Sequence, residues 1–187
     1  MELIYLPTIH AMNAEGRPFS GCLFFGLMLT DHGPKVIEYN CRFGDPETQA
    51  ILPLLETDLF EIMLATEEGR LFEAPVRFRG GSACCVVLAS GGYPGKYETG
   101  FEISLNDAER AENVFVYHAG TRMEQDRLVT AGGRVLGVTA IGADASTARY
   151  LAYAAAGKIR FERAFYRRDI GSRAIIAAQQ GEDKIDG

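Results

Sequence analysis

The run "VIEYNCRFGDPETQ", Val36 to Gln49, places Glu38, Asn40 and Arg42 at alternate positions and then breaks at Gly44-Asp45-Pro46. In an extended strand, residues two apart share a face, at about 6.6 Å per step. Glu38, Asn40 and Arg42 would therefore form one row. Ile37, Tyr39, Cys41 and Phe43 would form an apolar second face, expected to sit on a core. The first row offers a carboxylate, an amide oxygen and a guanidinium. Carboxylate plus amide oxygen suits Mg²⁺ or Mn²⁺, cations that keep waters and borrow phosphate oxygens. A guanidinium beside them would meet the same phosphates with a two-pronged fork. The plainer alternative is a solvated strand face carrying a weak Glu–Arg surface pair. Beyond the strand, Asp45 can cap a helix, Pro46 suits its first position and Glu47 its positive end. A helix start there would be an anion site beside the row, although capping alone accounts equally well for Asp45 and Glu47.

Working outward, "GCLFFGLML" and "KVIEYNCRF" read as two strands, and "TDHGP" between them predicts a β-hairpin. Upstream, Leu3 to Ile9 reads as a strand and "MNAEGRPFS" as a turn-rich link. Downstream, Pro53 should end or kink the first helix. "TDLFEIMLATEEG" predicts a second helix, capped by Thr57, stopped by Gly69, with Leu59, Ile62 and Met63 facing a core. A seam falls near Glu68 to Arg79. The second part is mostly strands: "SACCVVLAS" as a buried one, then "FEISL", "NVFVYHA", "RLVTA" and "RVLGVTAIG". "ADASTARYLAYAAAGKI" predicts a helix capped by Asp144 or Ser146 and stopped at Gly157. The glycines of "GGYPGKY" and "AGGRVLG" read as turn positions, Arg167, Arg168 and Asp169 as ion pairs at a domain contact, and the polar last residues as frayed.

Composition narrows the classes. The 187 residues carry a net charge of -6, which gives no electrostatic case for nucleic acid or an anionic membrane. No apolar run reaches the length of a membrane span, and the start lacks the features of a signal peptide. Cys22, Cys41, Cys84 and Cys85 read as buried reduced thiols of a cytoplasmic protein. Cys84 and Cys85 should point to opposite faces of a strand. His10, His32 and His118 have no zinc-site spacing.

The stretch "GLMLTDHGPKVIEYNCRFGDPETQAILPLLETDLFE" resembles the closing hairpin and helix of the ATP-grasp domain of the phosphoribosylamine–glycine ligase family. "LASGGYPGKYETG", "VYHAGT", "VTAGGRVLGVTAIG" and "YRRDIGSRA" resemble that family's C-terminal domain, and the resemblance runs from about Pro7 to Ala174. It implies an α+β fold: a partial antiparallel ATP-grasp sheet with helices over residues 1–74, then a mainly β, barrel-like C-terminal domain with one or two helices over 75–187. It implies an ATP-dependent carboxylate–amine ligase that joins glycine to 5-phosphoribosylamine through a glycyl phosphate. Glu38 and Asn40 match the family's Mg²⁺ or Mn²⁺ ligands, with ATP as co-substrate. Arg42 would stabilise the transferring phosphate or the acyl phosphate, and Asp45, Glu47 and Gln49 would approach the glycine and ribosylamine pocket. No G-x-x-x-x-G-K-[ST] loop occurs. The chain is therefore expected to be a C-terminal portion, inactive without an N-terminal portion as partner, with an open hairpin edge that would either pair across a homodimer or be poorly ordered. The alternative from a different class is a structural or regulatory remnant that folds without binding nucleotide.

Overall fold

The computed structural model describes residues 2–176; the polar end expected to fray lies outside them. In order, the elements are α1 (Tyr5–Ala14), β1 (Phe24–Thr30), β2 (Gly33–Asn40), α2 (Glu47–Ile51), α3 (Leu59–Glu67), β3 (Ser82–Ser90), β4 (Val114–His118), β5 (Thr121–Glu124), β6 (Arg127–Thr130), β7 (Arg134–Gly142), α4 (Ala145–Ala156) and β8 (Ala164–Phe165). Short 3-10 turns follow α2 at Leu52–Leu54 and α3 at Leu71–Glu73. The mixture of helices and antiparallel sheets is an α+β fold. Two compact units result: residues 2–45 with 55–78, and residues 46–54 with 79–176.

In the first unit, β1 and β2 pair antiparallel with Phe24 opposite Asn40 and Gly26 opposite Glu38. The register then shifts, so that Leu27 faces Val36 and Ile37 is the extra residue of a bulge. The segment expected as a first strand is instead helix α1. Pro7 sits in its first turn, where the missing N–H would have had no partner inside the helix. The Thr8 hydroxyl donates to the Ile4 carbonyl, 2.7 Å. The second face of β2 meets this helix rather than a core. Tyr39 packs edge-to-face on Phe25, with centroids 5.3 Å apart, and its hydroxyl lies 3.3 Å from that of Thr8. Two strands and one helix cannot enclose it, and Ile37 stays 63% exposed. The α3 stripe is likewise not core: Leu59, Ile62 and Met63 line an open hollow with Cys22, Phe43 and Leu71, and only Ala65 on that helix is buried. Its cap is Asp58, whose carboxylate accepts from the Phe60 N–H at 2.7 Å. Thr57, the expected cap, donates to the Pro75 carbonyl and accepts from the Arg77 N–H instead.

The second unit holds the hydrophobic core. Its sheet runs β4-β7-β3-β8, with every pair antiparallel. Cys84, Val86 and Leu88 of β3 stand opposite Ala140, Val138 and Leu136 of β7, and all six are buried. The row Ala148, Ala152, Ala155 and Ala156 of α4 packs in the same buried cluster. Small side chains let helix and sheet approach closely: a Cβ on Gly142 would fall 2.5 Å from the Ala148 nitrogen. Asp144 caps α4 by accepting from the Thr147 N–H at 2.7 Å, and Gly157 ends it. "FEISL" does not form a strand. It makes only isolated bridges, Glu102 to Val129 and Ser104 to Arg160, because its successive pairing residues meet two different partners.

Candidate functional site

On β2 the Glu38 and Asn40 side chains meet. Asn40 Nδ2 donates to Glu38 Oε1 at 3.0 Å. Glu38 is exposed and Asn40 half-buried, so the pair faces outward on the side of the hairpin away from the Phe25–Tyr39 contact. An octahedral Mg²⁺ or Mn²⁺ with ligands at about 2.1 Å holds neighbouring oxygens about 3 Å apart. The 3.0 Å between Glu38 and Asn40 is the length of their hydrogen bond, and it leaves the two side chains close enough to reach one such cation. Turning the Asn40 amide to offer Oδ1 in place of Nδ2 converts the hydrogen-bonded pair into two ligands of one cation. Among the described residues no group of three or more His, Cys, Asp or Glu is placed to hold a metal. The pair would offer a cation two oxygens at most, leaving its other positions to water and phosphate oxygens.

The remaining predicted residues lie past the strand. β2 ends at Asn40, so Arg42 belongs to the bend that follows and not to the row. Its Nη1 donates to the Phe43 carbonyl at 2.8 Å. α2 is five residues long with Pro46 at its N-cap. It is one residue shorter at its start than predicted, and too short for its backbone to form the anion site expected there. Glu47 is exposed in its first turn. Gln49 is half-buried and its side chain lies over Gly137 of β7, in the second unit. Asp45 closes the first unit and is exposed. Gly26 of β1, directly opposite Glu38, is not among the predicted residues. A glycine inside a strand marks a close approach, and that signal was present in "LFFGLML".

A second concave region lies wholly in the second unit, where the loops "GGYPG", "HAGT" and "AGGR" come together. Their glycines are close-approach positions as well as turns. The Tyr93 ring rests on Gly133, where a Cβ would fall 2.2 Å from it, and Gly120 stands against Gly132 at 2.7 Å by the same measure. Ser90 ties the loops by bonding Gly133 O through its N–H and Gly132 O through its hydroxyl, each at 2.8 Å. Beside them is a pocket of about 450 Å³ whose walls include Tyr93, Arg134, Phe165, Tyr166 and Arg167. The segment carrying Arg167 is pinned to α4: Arg149 donates to the Ile170 and Arg168 carbonyls and Tyr153 to the Arg167 carbonyl. Arg167 in turn pairs with Asp169 at 2.6 Å, which holds the Asp169 carboxyl below its usual range. That pair is exposed and local. Burial raises the Tyr117 hydroxyl pKa on the neighbouring strand, with the Cys85 thiol adding to the effect.

Two family models match the chain: phosphoribosylglycinamide synthetase, ATP-grasp (A) domain, over residues 1–48, and phosphoribosylglycinamide synthetase, C domain, over residues 83–173. A phosphoribosylamine–glycine ligase of Caldanaerobacter subterraneus is 50% identical over 91% of this chain and 40% of its own length. The human trifunctional purine biosynthetic protein adenosine-3 is 48% identical over 92% of this chain and 17% of its own. The crystal structure of a phosphoribosylamine–glycine ligase from Thermotoga maritima superposes with a TM-score of 0.75 at 40% identity, covering 86% of this chain and 39% of that one. The chain therefore spans about 40% of the length of the bacterial relatives it matches.

Proposed function

The chain belongs to the phosphoribosylglycinamide synthetase family, and from that premise we propose that it takes part in ATP-dependent ligation of glycine to 5-phosphoribosylamine. The observation that carries the reading is the Glu38–Asn40 pair, whose side chains meet at 3.0 Å on one face of one strand. In the reaction, a carboxylate oxygen of glycine bonds to the γ-phosphorus of ATP and ADP leaves. The ribosylamine nitrogen then attacks the glycyl carbonyl, loses a proton, and inorganic phosphate departs. Glu38 and Asn40 would hold Mg²⁺ or Mn²⁺, which supplies charge neutralisation to the phosphates. Arg42, on the bend beyond the strand, would swing its guanidinium from the Phe43 carbonyl to the transferring phosphoryl oxygens. Asp45, Glu47 and Gln49 would orient glycine and the amine.

We assign residues 1–74 to the ATP-grasp part and 75–187 to the C-terminal domain, a division by sequence that differs from the compact units at 46–54 and 75–78. The protein would work in the cytoplasm; no helix among the described residues is long and apolar enough to cross a membrane, and no disulfide joins its cysteines. The open edges of the two-stranded β1–β2 sheet would supply a homodimer contact. The test combines the chain with the remaining portion of a relative and measures phosphate release that requires ATP, glycine and phosphoribosylamine together. Glu38→Ala should lower that rate about 100-fold or more. An unchanged rate in an active mixture would remove Glu38 from the site.

A further inference from the structure

Gly26 stands directly opposite Glu38 in the hairpin register. A Cβ built on Gly26 would lie 2.8 Å from Glu38 Cγ, 3.6 Å from Oε1 and 3.7 Å from Cδ. The first distance is shorter than any tolerable carbon–carbon contact. The clashing atom is the second carbon of the side chain, not its mobile end, so relief needs a change at χ1. Such a change carries the carboxylate away from Asn40. One residue from this point, the ladder slips at Ile37. A bulge beside a site re-aims the side chains that follow it. Glu38 thus lies down across β1, over the gap left by the missing side chain, with Oε1 brought to 3.0 Å from Asn40 Nδ2.

We propose that Gly26 is a positioning residue of the metal-binding face: its missing side chain holds Glu38 in the one arrangement that shares a cation with Asn40. The inference rests on the assignment of Glu38 and Asn40 to the metal and adds what selects their geometry. It gives β1 a part in the site through a position that carries no side chain.

The test is Mn²⁺ binding to the chain itself, read from paramagnetic broadening of the backbone and side-chain amide signals of residues 38–40. Gly26→Ala should weaken binding by about 10- to 100-fold, the range for groups that orient a ligand. Glu38→Ala should weaken it at least as much. The double variant should bind no worse than Glu38→Ala alone, because the clash disappears with the Glu38 side chain. A role confined to the strand backbone would make the double variant worse, and that result overturns the proposal. Binding retained in Gly26→Ala but lost in Glu38→Ala overturns it too, while leaving the metal assignment standing. Binding unchanged in Glu38→Ala brings down the metal assignment, and the proposal that rests on it, at once. Should Gly26→Ala fail to fold, folding of the double variant decides. A folded double variant supports the steric contact with Glu38; an unfolded one places the need for glycine in the backbone and overturns the proposal.

Discussion

At the scale of single residues, the site depends on which atom Asn40 turns toward Glu38. The amide donates through Nδ2 at 3.0 Å, so without a cation the two side chains satisfy each other. With one bound, the same pair would have to present two oxygens, and rotation of the amide supplies the second. Asn40→Asp removes that choice. It sets two carboxylates about 3 Å apart with no proton between them, which repel at neutral pH. The variant hairpin should therefore be less stable than the natural one in metal-free buffer and gain more from Mn²⁺. Thermal melts with and without millimolar Mn²⁺ measure both quantities. Equal gains for the two proteins would mean that residue 40 does not ligate. Arg42 follows a different logic: its guanidinium is already occupied by the Phe43 carbonyl, so in the proposed role its contribution would begin only when a phosphate competes for it.

At the scale of elements, helix α4 offers the clearest pH prediction. Its cap Asp144 has a carboxyl held below the usual carboxylate range, first by the hydrogen bond from the Thr147 N–H and then by the Thr147 hydroxyl. A depressed carboxyl stabilises the folded state fully above its unfolded pKa of about 4, and the contribution is lost as pH falls through the lower folded value. Asp144→Asn keeps a capping oxygen that does not titrate there. Its stability should therefore fall less steeply between neutral pH and the acid limb, as paired acid-unfolding curves would show. This helix, the hairpin β1–β2 and strand β3 were legible in the sequence because each carries a local signal: a cap, a turn or an unbroken apolar run. The helix over Tyr5–Ala14 was not. Its alternation mimics a strand, and Pro7 looks disruptive until it is placed in a first turn. Asn40 and Glu38 were legible as a pair from strand alternation alone. Arg42 was drawn into their row because nothing in "NCRF" shows that β2 stops at Asn40.

At the scale of the whole molecule, the apolar residues are divided unequally. Among the described residues, the buried hydrophobic side chains other than Ala65 all belong to the second unit. The first unit leaves Met28, Leu29, Ile37, Phe60 and Phe72 exposed. Burial of apolar area is the main force against chain entropy, so the two units should differ in stability well beyond their difference in size. Native-state hydrogen exchange measures this directly. Amides of β3 and β7 should exchange only by global opening of the second unit, and those of β1 and β2 by local opening at far lower free energy. Ala152→Leu provides the control. It forces a larger side chain between α4 and the sheet at a fully buried position, at a cost of about 1–3 kcal/mol. It should speed exchange in β3 and β7 by the corresponding factor and leave the hairpin unchanged, whereas acceleration of both by one factor would show that the two units open together. Mn²⁺ should slow exchange in β2 around Asn40 and have no effect on β7, because a ligand protects only the unit whose opening destroys its site. Slowing in β2 that disappears in Glu38→Ala would tie the least stable part of the chain to the part proposed to hold the cation.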